Sequence, residues 1–474
     1  MPAPPPKTTL ILYNIPDKCL LGIDLHFFTA TAEFNGIKHI PDGIHVLHWS
    51  PPTPDPTVAD NAISTSSLRR RDHDDDDIDI VALRSQSNIE AQEARESDNI
   101  VMSNMNLRMA VFFEASEGKT TSMTWHEERE EFVISERPID SASLLRLYPH
   151  LLSYPNSSPE FGDLTSMLTA DLLSTFLPAS YSNGEPISSI TASSTDSLLL
   201  NQAIADASSS RKTTTLVDDT ESFRFLNFDL RRQRTWREGA IGRELTAAAL
   251  DRSWFLGHLV SRDRDGDYDA VLAELQLCFV LVVLLANYSS AEQWKRIVEL
   301  LCTCESAVSS HPDLYSKFLD TLYSQFQCVP EVYFADLLGS DFVTHHLRGL
   351  RKTLLHPFNR TFVLEDSSSS DSDIRIMTPD AKDAMLRQIF DIGQVLEERF
   401  GVDLNINSKS TAARRRRQSE SVLGSLSGAS GNGFERMHHY GSDDEDEPRG
   451  LGAVYDSDDA EEERGEYAPV IVEL

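Results

Sequence analysis

Four histidines crowd one short stretch of the chain: His26, His39, His45 and His48. Neutral imidazole is a common ligand for transition metals, and a Gly-x-His-x-x-His run after a turn is a pattern that a cupin-like metal site would use. The spacing argues against one. On a strand, positions i and i+3 project from opposite faces, so His45 and His48 cannot reach one ion without a bulge, and ligands must converge on a point. They read as ordinary strand histidines. Asp24 and Glu33 are acid/base candidates only as any carboxylate is. No GxSxG, GxxxxGK[ST], GxGxxG or HExxH pattern occurs to supply a reaction around them. The five cysteines, Cys19, Cys278, Cys302, Cys304 and Cys328, are scattered, and Cys302-Thr-Cys304 is not a CxxC. They read as small core residues of a reducing compartment, cytosol or nucleus. No metal, cofactor, small-molecule substrate or enzymatic activity is expected.

The remaining chemistry lies in charge. With 43 basic and 75 acidic residues the formal net charge is -32, which repels phosphate backbones at long range, so no direct nucleic-acid partner is expected. Arg414, Arg415, Arg416 and Arg417 form one compact basic run, readable as an import signal or as a solvated charge run. Ser419 follows it in the context that basic-directed kinases favour. Ser442 and Ser457 each precede acidic runs, the context of acidic-directed kinases. A phosphate adds about -1.5 to -2 charge, so it changes most beside the arginines.

Behind these residues, short apolar runs broken by turn signals mark a β-rich N-terminal domain over residues 7–204: TLILYN, LGIDLHFF, FNGIKHI, GIHVLHW, LRMAVFFEA, SMTWHEE and EEFVISE. Residues 51–99, rich in Pro, Ser, Asp and Arg, read as a disordered insertion. Helical spacing predicts a helix over Phe161–Phe176 and a short one over Ser197–Ala207. Residues 205–238 read as a linker with a strand at 222–230. From 239 to 402 the spacing predicts helices over Ile241–Val260, Tyr268–Ala286, Ala291–Ala307, Pro312–Phe326, Glu331–Leu338 and Thr378–Phe400, with starts marked by Asp267, Ser290 and His311-Pro312. Val271–Ala286 is the best membrane candidate, but it is shorter than the roughly 20 residues a span needs and carries Glu274 and Gln276. It reads as a buried core helix, so no membrane is expected. Prolines fill the place of a signal peptide's apolar core. Residues 403–466 read as a disordered charged tail, and 467–474 as a terminal recognition strand. The fold class is multidomain α+β.

Three blocks resemble one family. LGID (Leu21–Asp24) and FNGIKHIPDGIHVLHWS (Phe34–Ser50) resemble the FGID motif and KxIPPGxHFxHYS run of the AAR-two family, splicing factors named for the a-one cistron. Leu21, Asp42 and Trp49 depart from that pattern. LAELQLCFVLVVLLANYSSAEQWKRIVELLCTCESA (Leu272–Ala307) is similar to the family's GELQFAF and HWKRLLNLL helices, and the final APVIVEL resembles its APVVVEL. The resemblance implies a β-sandwich-like N-terminal domain followed by an all-α VHS-like helical domain. It also implies a non-catalytic, cytoplasmic and nuclear role in U5 snRNP assembly. There the family binds the RNase H-like and Jab/MPN domains of the large scaffold protein Prp-eight, adds a C-terminal strand between them, and delays binding of the Brr-two helicase.

Two segments stand out as recognition elements. In Tyr467–Leu474, Ala468, Val470, Val472 and Leu474 would line one face of an extended strand, with Tyr467 and Ile471 beside them. Adding a strand to a partner's sheet edge is an established recognition mode, and docking onto the chain's own β-domain is the competing reading. Around Trp294 the apolar positions read as core, with Lys295 and Arg296 facing outward as interface candidates. A membrane-traffic adaptor and an enzyme on the β-domain are the alternative functions.

Overall fold

A computed structural model of the chain describes residues 7–50, 107–198, 221–355 and 377–404, apart from 17, 32, 136–138, 156–159 and 232. The insertion 51–99, the charged tail and the terminal strand lie outside the described residues.

Among the described residues the apolar runs of the N-terminal half become ten strands: β1 Thr8–Tyr13, β2 Leu20–Ile23, β3 His26–Thr29, β4 Gly36–Ile40, β5 Gly43–Ser50, β6 Met109–Ala115, β7 Thr120–His126, β8 Glu131–Ile134, β9 Leu152–Ser153 and β10 Ile187–Ser188. They form two five-stranded sheets, in the orders β8-β7-β1-β4-β9 and β10-β6-β5-β2-β3. β1 runs parallel to β7 and β4 parallel to β9; the second sheet is antiparallel throughout. Leu10, Leu12, Met123 and Phe132 of the first sheet share a core with Leu21, Leu47, Trp49 and Phe113 of the second. Strand alternation sends the neighbouring residues Ile44, Val46, Ala110 and Phe112 to the opposite face, where they join the core of the helical half. The second sheet is therefore buried on both sides, and one continuous apolar cluster links it to the helices.

The helices are α1 Ser141–Leu147, α2 Phe161–Leu164, α3 Ala170–Phe176, α4 Arg243–Leu250, α5 Ser253–Asp263, α6 Asp269–Leu285, α7 Tyr288–Cys302, α8 Glu305–Ser310, α9 Pro312–Cys328, α10 Ser340–Leu355 and α11 Pro379–Phe400. One turn at Glu331–Tyr333 and a π-helical stretch, Phe334–Gly339, lead into α10. This is the α+β layout expected from the sequence. α6 lies at the centre, buried without a break from Ala270 to Leu285. No helix among the described residues is long and apolar enough to cross a membrane.

Several element boundaries differ from the periodicity reading. The helix expected over Phe161–Phe176 is broken into α2 and α3: Gln276 holds Ser166 and Met167 out of helical pairing, and Thr169 caps a fresh start through Leu172 N–H. The helix expected over Ile241–Val260 breaks at Asp251, whose carboxylate takes the N–H and hydroxyl hydrogens of both Ser253 and Ser306. α7 starts at Tyr288 rather than Ala291, because the cap is Asn287, which accepts from Ser290 N–H, and not Ser290 itself. Glu331–Leu338 continues to Leu355. The short helix expected over Ser197–Ala207 starts earlier: residues 194–198 are helical, and the rest of it lies outside the described residues.

The strand expected at 222–230 is not one. Only an isolated bridge joins Phe223 to Ser193. Phe223, Phe225, Leu226 and Phe228 are buried in the helical core, so the alternation reflects packing; Phe223 N–H and Arg224 N–H donate to the Ala192 and Phe176 carbonyls, while both backbone groups of Leu226 go to side chains.

Candidate protein-interaction site and the polar networks behind it

Two polar networks account for the motif residues, and both hold the fold. The first sits at the corner between β2 and β3. Asp24 is fully buried with a left-handed backbone, φ 54°. Its carboxylate accepts from Val46 N–H at 2.9 Å and from the Tyr154 hydroxyl at 2.6 Å, and lies 2.7 Å from His45 Nδ1. His45 and His48 do project from opposite faces of β5, as the spacing requires, yet both reach Asp24. His48 bonds through Nε2 to the Asp24 backbone carbonyl at 2.8 Å, because Asp24 turns around the end of the sheet. His45 Nε2 lies 2.9 Å from the Pro41 carbonyl. Burial lowers the His48 pKa to about 4, so its ring is neutral at pH 7, and the same burial with the adjacent Asp24 pushes the Tyr154 hydroxyl up.

Gly22 explains the glycine of LGID. It faces His48 across the β2–β5 ladder, and a Cβ there would lie 1.8 Å from the His48 ring. The thiols are equally inert. Burial pushes all five above their ordinary range, as expected for core cysteines.

The second network joins the segment 222–230 to the helices. Glu274, fully buried on α6, accepts from Leu226 N–H at 2.9 Å and from Gln293 Nε2 at 2.8 Å through one oxygen, and pairs with Arg264 at 2.6 Å through the other. Gln293 also donates to the Leu226 carbonyl. The two side chains thus take both backbone groups of Leu226. Burial pushes the Glu274 carboxyl up, and Arg264, Leu226 N–H and Gln293 pull it back. Gln276 accepts from Met167 N–H and donates to Ser166 Oγ. Arg108, the residue before β6, reaches the Leu284 carbonyl of α6.

Trp294 on α7 is core, as the spacing predicts, with Nε1 donating to Gln325 Oε1 at 2.9 Å. Lys295 and Arg296 are half-buried and engaged within the chain: Lys295 pairs with Glu292 at 2.8 Å, and Arg296 with Asp196 at 3.0 Å. Neither is a free outward cation. The other expected sites, Arg414–Arg417, Ser419, Ser442, Ser457 and Tyr467–Leu474, lie outside the described residues. Asn287 carried no role in the sequence reading beyond its place in a motif block. It is buried, and besides capping α7 its Nδ2 donates to the carbonyls of Ser188, Ser189 and Thr191 at 3.4, 3.1 and 2.8 Å. A capping asparagine three residues before Ser290 was the available signal.

Two family models match this architecture in order: the AAR2 N-terminal domain over residues 6–178 and the AAR2 C-terminal repeat region over residues 225–405. The chain belongs to the AAR2 family. It is similar to the Protein AAR2 homolog of Homo sapiens, 24% identical over 355 residues, covering 72% of this chain and 81% of the relative. The homolog of Caenorhabditis elegans is 33% identical over 76 residues, 16% of this chain and 21% of the relative. The A1 cistron-splicing factor AAR2 of Saccharomyces cerevisiae is 30% identical over 89 residues, 19% of this chain and 24% of the relative. The AAR2 motifs LGID and LAELQ are the buried corners of the two networks above.

Proposed function

We propose that this AAR2 protein is a non-catalytic pre-mRNA splicing factor that assists U5 snRNP assembly. Its partner is the Prp-eight scaffold, bound through the RNase H-like and Jab/MPN domains, and its presence there delays the Brr-two helicase. The supporting observation is the ordered match of both halves to AAR2 family models, together with the yeast relative's name as a splicing factor. The physical reading points the same way. The buried polar groups that could have carried chemistry, Asp24, His45, His48, Glu274 and Arg264, are consumed by backbone and side-chain partners within the fold. What remains for function is surface. The mechanism is occupancy: a rigid body covers a scaffold surface that a later factor needs, and the segment Tyr467–Leu474 adds a strand to the scaffold, with Val470, Val472 and Leu474 on one face. The protein works in both cytoplasm and nucleus.

The test is affinity purification of the chain from its native cell with mass spectrometry. Recovery of the scaffold with U5 proteins, without the helicase, is expected. Recovery of clathrin-coat or endosomal proteins instead would overturn the reading. Deleting Tyr467–Leu474 should weaken scaffold binding and leave the melting temperature nearly unchanged; a large loss of stability would show that the segment belongs to the chain's own fold.

A further inference from the structure

Both ring nitrogens of His45 face acceptors. Nδ1 lies 2.7 Å from Asp24 Oδ2, and Nε2 lies 2.9 Å from the Pro41 backbone carbonyl. A neutral imidazole has one N–H and one bare nitrogen. A neutral His45 would therefore set a lone pair against an oxygen at one end of the ring. The Pro41 carbonyl can only accept, which fixes a proton on Nε2. The proton between Nδ1 and Asp24 is placed by the other partners of the carboxylate. Asp24 already accepts from Val46 N–H at 2.9 Å and from the Tyr154 hydroxyl at 2.6 Å, and donors around a carboxylate favour its ionised form. Burial pushes the Tyr154 hydroxyl up, so it keeps its proton and stays a donor.

The walls around the ring favour a cation independently. Phe113 stacks on it with ring centres 5.8 Å apart, Phe161 stacks at 6.1 Å, and the Tyr154 ring meets it at 80° and 5.7 Å. Aromatic faces attract a cation, most strongly where water is excluded, and His45 is only 3% exposed. The elements packed around it bring one charge to the ring, Asp24 from the β2–β3 corner. Tyr154, from the segment after β9, is the other titratable group, and Glu160, before α2, acts on Tyr154. β6 and α2 present Phe113 and Phe161. Phe113 belongs to the core shared by the two sheets and Phe161 to the core of the helical half, so the ring stands between the two cores.

We infer that His45 is held as a doubly protonated imidazolium, ion-paired to Asp24, and that this proton is a latch tying the β2–β3 corner, the Pro41 turn, Tyr154 and α2 to β5. Once the proton leaves, a buried nitrogen faces an oxygen with no hydrogen to share, which costs stability. An unfolded histidine releases its proton near pH 6.5. Above that pH the folded chain still holds a proton that the unfolded chain has lost, so stability falls as pH rises. The sense is opposite to that of His48, whose ring is buried neutral.

The test uses the full chain. Nitrogen NMR of isotope-labelled histidine at pH 8 identifies the His45 ring as the one missing from His45→Gln, and both of its nitrogens should show the protonated shift. A ring with one bare nitrogen at that pH overturns the inference, whatever the variants do. Guanidinium unfolding at pH 7 and pH 8 gives a second arm, in a window above free imidazole and below free thiols. The unfolding equilibrium constant of the wild-type chain should rise about eightfold across it, the effect of one imidazole proton. His48→Gln should keep that rise. Asp24→Asn removes the counter-ion while its amide can still donate to Nδ1, and should hold the constant within about twofold. An eightfold rise that survives Asp24→Asn would overturn the latch.

Discussion

Replacing Glu274 by glutamine isolates one bond of the network that joins the segment 222–230 to the helices. The wild-type carboxylate uses one oxygen for Leu226 N–H and Gln293 Nε2, and the other for Arg264. In Glu274→Gln the amide oxygen can keep the first two bonds. Its NH2 then faces the Arg264 guanidinium, donor against donor, and a charge whose side chain is only 9% exposed is left without its counter-ion. Breaking one side of a buried pair costs about 3–5 kcal/mol, because the abandoned charge stays desolvated. The remaining Arg264 contacts, to the Asp263 and Arg224 carbonyls and the Phe176 ring, do not restore neutrality. Guanidinium unfolding at pH 7, followed by circular dichroism, should show a loss of that size with an unchanged slope. Arg264→Leu in the same background should recover part of it, since the unpaired charge is gone. A Glu274→Gln protein within about 1 kcal/mol of wild type would refute the reasoning, and would mean that the bonds to Leu226 and Gln293 hold the joint without the ion pair.

Two further outcomes follow from the Asp24 corner. Gly22→Ala should cost about 3 kcal/mol, because the new Cβ evicts the His48 ring from the Asp24 carbonyl; adding His48→Ala should make the pair of changes cost less than their sum, and strict additivity would sink the explanation. Acidification should destabilise the protein through His48, whose folded pKa of about 4 lies below its unfolded value of 6.5. Between those values only the unfolded chain takes the proton, so stability falls as pH drops from 6.5 and levels below about 4. The His48 share is about 2 kcal/mol by pH 5. His346, also lowered to about 4 by burial, adds to the loss. His48→Gln should flatten the curve in that window when unfolding is measured at pH 7, 6 and 5, and an unchanged curve would place the acid sensitivity elsewhere.

The sequence by itself determined the strands of the sandwich, because alternation with a period of two survives whatever the neighbours are. It determined that α6 is a core helix, because sixteen buried positions from Ala270 to Leu285 follow from a run that is apolar all round and too short to span a membrane. It also carried the family in its motif blocks. It could not show what the polar residues inside those blocks bond to. Glu274 and Gln276 mark a helix that is not membranous, but their partners at 226 and 166–167 lie 48 and 109–110 residues away, and no local pattern encodes such a pairing. The same distance effect misled the strand reading at 222–230, where the apolar positions are buried, no ladder forms, and the backbone of Leu226 bonds to the side chains of Glu274 and Gln293. Periodicity also ran Phe161–Phe176 and Ile241–Val260 together, because it registers which face is apolar and is blind to a side chain such as Gln276 or Asp251 that captures the backbone mid-run. Lys295 and Arg296 were assigned to solvent by helical phase alone. Only the tertiary structure brought Asp196 within 3.0 Å of Arg296, closing that charge.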